Sequence, residues 1–186
     1  MSNEILAFLG GSAVGAIVST SINAFVTYKT TQSNQNFQLE LEHQKHQREQ
    51  VEKELTEQKR MLLEIYQLLS KISREFSLTG INIKQEAQIT AEQYDAAYSE
   101  TCASCDLISA YCDLFFPDLS RDIDRICGEM NIFWGTFKNY LYLWKTQADH
   151  KLKQSKMDEL VTIANKIDKH IGTVKYQLSS IMAKTD

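Results

Sequence analysis

The 186-residue chain contains a single proline, Pro117, and 7 glycines, three of them between residues 10 and 15. So few turn formers leave little with which to build the corners of a sandwich or barrel. Its 4 cysteines, Cys102, Cys105, Cys112 and Cys127, do not form the dense pattern of a disulfide framework. There is no long block of one charge sign. Lys and Arg number 20 against 24 Asp and Glu, and the net charge of −4 argues against nucleic acid as a partner. Phosphate-cradling glycine loops, paired catalytic carboxylates and nucleophile–base arrangements are all missing from the pattern, so neither an enzymatic activity nor a cofactor is expected. With 43% hydrophobic and 24% charged residues, the chain has the composition of an ordinary folded protein, and helices are what its patterning leaves.

The longest apolar run is at the front. Residues 5–28 carry no ionisable side chain except Tyr28, and Glu4 and Lys29 bracket them. As a helix this run extends about 36 Å, enough to cross a hydrocarbon core of ~30 Å, so a single N-terminal transmembrane helix is expected over residues 1–28. Its acidic start and the absence of a small-residue cleavage site argue against a signal peptide. Ala7, Gly11, Gly15, Ser19 and Asn23 recur every four residues. Small residues let membrane helices approach closely, so this row is the expected self-association face. Lys29, Lys45 and Arg48 follow the span, which favours a single-pass protein with its C-terminal part in the cytoplasm. A reducing compartment also suits four unpaired cysteines.

Beyond a polar joint, residues 29–36, a heptad row begins. Phe37, Leu41, Gln44, Arg48, Val51, Leu55, Gln58, Leu62, Ile65, Leu69, Ile72 and Phe76 are spaced by threes and fours after the opening step. Gln44, Arg48 and Gln58 interrupt its proximal part, and from Leu62 on every member is apolar. Residues 29–59 therefore read as a polar joint and coiled-coil stalk, and residues 60–186 as a distal antiparallel four-helix bundle. Thr79-Gly80 is the expected end of the stalk helix. Thr90 and Gln93 form a capping box for the next helix, which Phe116-Pro117-Asp118 ends. A third helix reaches about Ala148, and Ser155 with Asp158 marks the start of the last.

Three features invite chemistry, and each has a plainer explanation. Cys105 and Cys112 stand seven residues apart on one helix, about 10.5 Å along its axis, too far for one tetrahedral metal site. Pairing the helices about Pro117 sets Cys127 level with residue 107, near Cys105, but buried reduced cysteine is the expected state. Glu40 and His43 match half of a carboxylate-bridged metal motif whose other half is absent, and His43 and His46 fit a solvated face. No metal site is assigned.

The segment of residues 132–144 is apolar on more than one face. Phe133, Phe137, Leu141 and Trp144 fit the bundle stripe; Ile132, Trp134, Tyr142 and Leu143 do not, and are the candidate partner contact. Gly128 and Gly135, seven apart, leave room for a close helix crossing beside them. The function expected from these features is a non-enzymatic, membrane-anchored, homo-oligomeric scaffold or adaptor that presents its bundle to a protein partner. The alternative is an oligomeric pore-forming or membrane-disrupting effector, such as a toxin or an anti-phage abortive-infection protein.

Overall fold

The computed structural model describes the backbone of residues 2–184 and the side chains of Asn23 and residues 25–184. Five helices follow one another: α1 (Ser2–Glu75), α2 (Leu78–Glu86), α3 (Ala91–Phe115), α4 (Pro117–Lys145) and α5 (His150–Met182), with no strand among the described residues. The protein is all-helical. It divides into two compact units, Met1–Glu54 and Leu55–Asp186.

The first unit is helical throughout its described backbone, and residues 29–36 continue the helix. No proline or glycine interrupts that stretch, and Thr30 Oγ1 donates to the Val26 carbonyl at 2.8 Å. Every described side chain of this unit is exposed. Among the described residues no helix is long and apolar enough to cross a membrane. That finding overturns the single-pass membrane localisation, together with its cytoplasmic bundle. The described part of α1 holds only Phe25, Val26 and Tyr28 as bulky apolar groups before Lys29, and polar or charged side chains recur in every turn thereafter. Of the small-residue row, Asn23 is exposed, and Ala7, Gly11, Gly15 and Ser19 lie outside the residues whose side chains are described.

The second unit is a bundle built on four apolar rows. Leu62, Ile65, Leu69, Ile72 and Phe76 of α1 are buried, as are Tyr94, Ile108 and Cys112 of α3, Ile123, Ile126, Met130, Phe133 and Phe137 of α4, and Leu160, Ala164, Ile167, Ile171, Val174 and Leu178 of α5. Burying each large side chain contributes about 1.5–3 kcal/mol. Side-chain pairs give the directions. Glu64 meets Tyr111 and Phe76 meets Tyr98; Tyr98 meets Asn131 and Asp95 meets Trp134; Tyr66 meets Lys175 and Ser73 meets Asp168. In each set one number rises as its partner's falls, so α3 runs antiparallel to both α1 and α4, and α5 antiparallel to α1. Phe133 closes the centre, edge-on to Phe76 with centroids at 5.0 Å and stacked on Phe137 at 6.0 Å.

The helix ends depart from expectation where periodicity was carried too far. The first helix stops at Glu75, and Ser77 caps a separate short α2. Gly80 lies in the first turn of α2 and has no positive φ. A Cβ there would lie 2.7 Å from the Glu75 carbonyl oxygen and 2.8 Å from that of Arg74, so glycine serves close approach. Lys84 then reaches back, its Nζ donating to the Glu75 carbonyl at 2.8 Å and pairing with the Glu75 carboxylate at 2.7 Å. A cation thus satisfies the open carbonyl end of α1. The Thr90–Gln93 capping box forms as expected, with both reciprocal hydrogen bonds present. Pro117 opens α4, and α5 starts at His150 behind Asp149, five residues before Ser155. Gln88 and Gln147 sit at φ of 49° and 52°, closing α2 and α4. At each, the N–H of the following residue bonds five residues back: Ile89 to the Lys84 carbonyl and Ala148 to that of Leu143.

Two side chains that fall on the core rows by spacing, Phe115 three residues after Cys112 and Trp144 three after Leu141, turn outward. Phe115 is exposed and Phe116, in the extended turn after α3, is buried in its place. Trp144 is 55% exposed, near the end of α4, edge-on to Tyr140 and with Lys153 Nζ 4.6 Å from its ring centre.

Candidate partner-binding face on α4

Helix α4 has neighbours on several sides. Its core row is buried as described above. Toward α3, the Trp134 indole N–H donates to Asp95 Oδ1 at 2.8 Å, and Lys138 Nζ donates to Asp95 Oδ2 at 2.8 Å. Trp134 also stacks on Tyr98 at 5.5 Å and carries Lys138 over its ring at 4.6 Å. The hydrogen bond from Lys138, and next that from Trp134, hold the Asp95 carboxyl below its ordinary pKa. One turn further on, Tyr98 donates to Asn131 Oδ1 at 2.7 Å. Toward α5, Asp122 and Gln177 approach at 3.4 Å.

A covalent link adds to the α3 side. Cys105 and Cys127 form a disulfide with their Cα atoms 6.6 Å apart. Their proximity follows from pairing the helices about Pro117, but their chemistry corrects the expectation of reduced core cysteines and removes the support it gave to a reducing compartment. Cys102 and Cys112 remain free. Burial, and next the charge of Asp113, push the Cys112 thiol up to about 11.

What is left on α4 is an outer row, Gly128, Ile132, Gly135, Asn139 and Tyr142, at alternating spacings of four and three, exposed at every member but the half-buried Gly135. Ile132 is 55% exposed and Tyr142 65%. A Cβ built on either glycine meets no atom within 4 Å, so no described part of the chain fills the space beside them. The outcome is a shallow slot with a bulky apolar residue at Ile132 and another at Tyr142. Charges elsewhere on α4 are of both signs, Asp124 and Glu129 against Arg125, Lys138 and Lys145 among them, so no net field of one sign marks this face.

The structure therefore separates the four candidate residues. Ile132 and Tyr142 share the outward row. Trp134 is half-buried in the α3 contact, and Leu143 is half-buried on the row of Thr136 and Tyr140. Both glycines and both bulky residues were legible in the sequence. The signal that unites them is the four–three spacing through Asn139, which was read only for the core stripe.

Elsewhere the polar groups are structural. His43 lies 3.2 Å from Gln47 on an exposed face, and His46 approaches Glu49 at 3.7 Å. Among the described residues no group of three or more His, Cys, Asp or Glu side chains is arranged to hold a metal ion. The Tyr94 hydroxyl is buried without a partner, and burial, followed by the charge of Glu75, raises its pKa. Compared with known proteins, the chain matches no family, no curated protein and no solved structure.

Proposed function

We propose that the chain is a non-enzymatic, self-associating helical scaffold or adaptor, which presents its bundle to a protein partner through the outer row of α4. The observation that supports this reading is the open slot itself: Gly128 and Gly135 unfilled, with Ile132 and Tyr142 exposed on the same row. Small residues at a helix crossing let two backbones approach, and flanking bulky side chains lock into the partner's grooves. An amphipathic helix of another protein suits such a face. Burying Ile132 and Tyr142 against it contributes roughly 1.5–3 kcal/mol each.

Gly135→Leu tests the reading because it separates stability from binding. Glycine in a helix interior costs about 0.8–1.0 kcal/mol relative to alanine, and leucine ranks close to alanine, so the variant folds at least as well as the parent. It also fills the slot. The partner is isolated by cross-linking from cells expressing the parent chain, and its affinity is then measured for both purified forms. A large loss for Gly135→Leu, with a similar loss for Ile132→Glu, is expected. Unchanged affinity in both would sink the α4 face.

A further inference from the structure

The heptad row of α1 is treated in two ways along its length. From Leu62 to Phe76 its members are buried by the bundle. Before Leu55 the same row is open, with Phe37 62%, Leu41 48% and Val51 64% exposed. Apolar groups at core positions of one register, uncovered by their own chain, need a partner helix with the same period. We infer that residues 37–54 pair side by side, in parallel, with the same segment of a second copy of this chain, making a short two-stranded coiled coil. This deepens the self-association in the function proposed above and rests on that part of it.

Charge at the flanking positions identifies the occupant. With Leu41 at position a, the g positions are Glu40, Gln47 and Glu54, and the e positions are Lys45, Glu52 and Lys59. In a parallel pair each g residue meets the e residue five places later on the other strand. Glu40 then faces Lys45 of the second copy, an attractive pair. Gln47 faces Glu52, which is not repulsive, and no like charges meet. An antiparallel pair sets g against g and e against e; in the register that matches Leu41 with Val51 and Phe37 with Leu55, it brings Glu40 against Glu54 and Lys45 against Lys45, both repulsive. The pattern is complementary to itself in one orientation only, and e and g charges are what set partner and orientation in coiled coils. Lys45 already lies 3.8 Å from Glu49 on its own strand, but those side chains are 77% and 55% exposed, and so open a pair leaves Lys45 able to turn to the other copy.

The core layers define the register. Phe37, Leu41, Val51 and Leu55 supply apolar layers, and Gln44 and Arg48 interrupt them. A single polar residue at an a position specifies register and strand number at a cost in stability. Arg48 takes that role; its aliphatic stem covers the seam while its guanidinium reaches water. The pair is accordingly weak, and its mass depends on concentration.

Sedimentation equilibrium of the full chain over a wide concentration range tests this. A rise toward twice the chain mass is expected, with association about tenfold or more weaker in Leu41→Glu with Val51→Glu, while the thermal unfolding of the bundle is unchanged. Glu40→Lys is expected to weaken the pair, and Glu40→Lys with Lys45→Glu to restore it. In a Cys102→Ser background, Gln44→Cys at a d position is expected to cross-link copy to copy on mild oxidation. A single-chain mass throughout overturns the pairing and, with it, self-association. A doubled mass indifferent to the Leu41 and Val51 changes overturns the α1 pairing and leaves self-association standing. Association without a Gln44→Cys cross-link overturns the parallel order. None of these outcomes bears on partner binding by α4, which Gly135→Leu reads independently.

Discussion

Reduction of the Cys105–Cys127 bond is expected to destabilise the bundle by roughly 3 kcal/mol. The bond closes a loop whose ends are 22 residues apart in sequence. Cross-linking a loop of that size removes denatured-chain entropy worth about 3.4 kcal/mol at 25 °C, within the ~2–4 kcal/mol typical of natural bridges. For a unit the size of Leu55–Asp186, with unfolding entropy of about 2.1 cal/mol/K per residue, this lowers the midpoint by roughly 11 °C. Thermal unfolding followed by circular dichroism, with and without a phosphine reductant, reads the shift. Thiol counting tests the premise. Unfolded, unreduced chain should release two thiols, from Cys102 and Cys112, and reduced chain four. In the folded protein Cys102 should react well before Cys112, which is buried and has its thiol held up to about 11. Four thiols in the unreduced, unfolded chain would refute the bridge, and an equal midpoint in both conditions would refute the entropy assigned to it.

Gln147→Gly is expected to raise stability by about 0.5–1 kcal/mol, because its φ of 52° is left-handed and costs any side chain about 1–2 kcal/mol that glycine escapes. A urea midpoint checks this, and a fall would mean that the Gln147 side chain holds the α4–α5 turn. Asp95 gives a pH signature. Its folded pKa is depressed, so its contribution is fully present above pH about 4 and is lost as pH falls through the folded value. In a Trp144→Phe background, Trp134 emission should change over that acid range. The change should be absent in Asp95→Asn, and an identical acid profile in the two would refute the tie.

Most of the bundle was legible because its rows keep a strict three–four spacing, from Leu62 to Phe76 and from Leu160 to Leu178, and buried faces follow from period alone. The Thr90–Gln93 box and the break at Pro117 were readable for local reasons: a side chain three residues from its own backbone partner, and a ring with no N–H. Errors gathered at helix ends, where period gives no information. Phe115 belonged to the row by count, but the helix ends there, and the extended turn swings Phe116 inward instead. Asp149 was passed over for Ser155 because a cap acts through one bond, here to the Lys151 N–H at 3.3 Å, and several residues in that stretch could make one. Cys105 and Cys127 were placed close together by helix arithmetic, yet proximity alone does not decide between two thiols and a bond. Ile132 and Tyr142 do not fit the core stripe, and the open space beside Gly128 and Gly135 shows the second stripe to which they belong. The apolar run at residues 5–28 meets the length and charge criteria of a span, yet among the described residues no helix is long and apolar enough to cross a membrane.

The two ties between α3 and α4 have a mechanical consequence. Asp95 and Cys105 stand ten residues apart on α3, about 15 Å along its axis. Asp95 grips Trp134 and Lys138, and Cys105 is bonded to Cys127. A rod pinned at one point can still swing about the pin. A second pin at a distance takes that freedom away, and pins set on one side of the rod also stop it from rolling about its own long axis. A close-packed core already resists a roll of α4. The salt-bridged clamp and the sulfur bridge add to that resistance from one side. The azimuth at which Ile132 and Tyr142 face outward is thus held in part by α3, a helix to which neither of them belongs. Substitutions at Asp95 or Cys105 should therefore re-aim the slot without altering any residue in it.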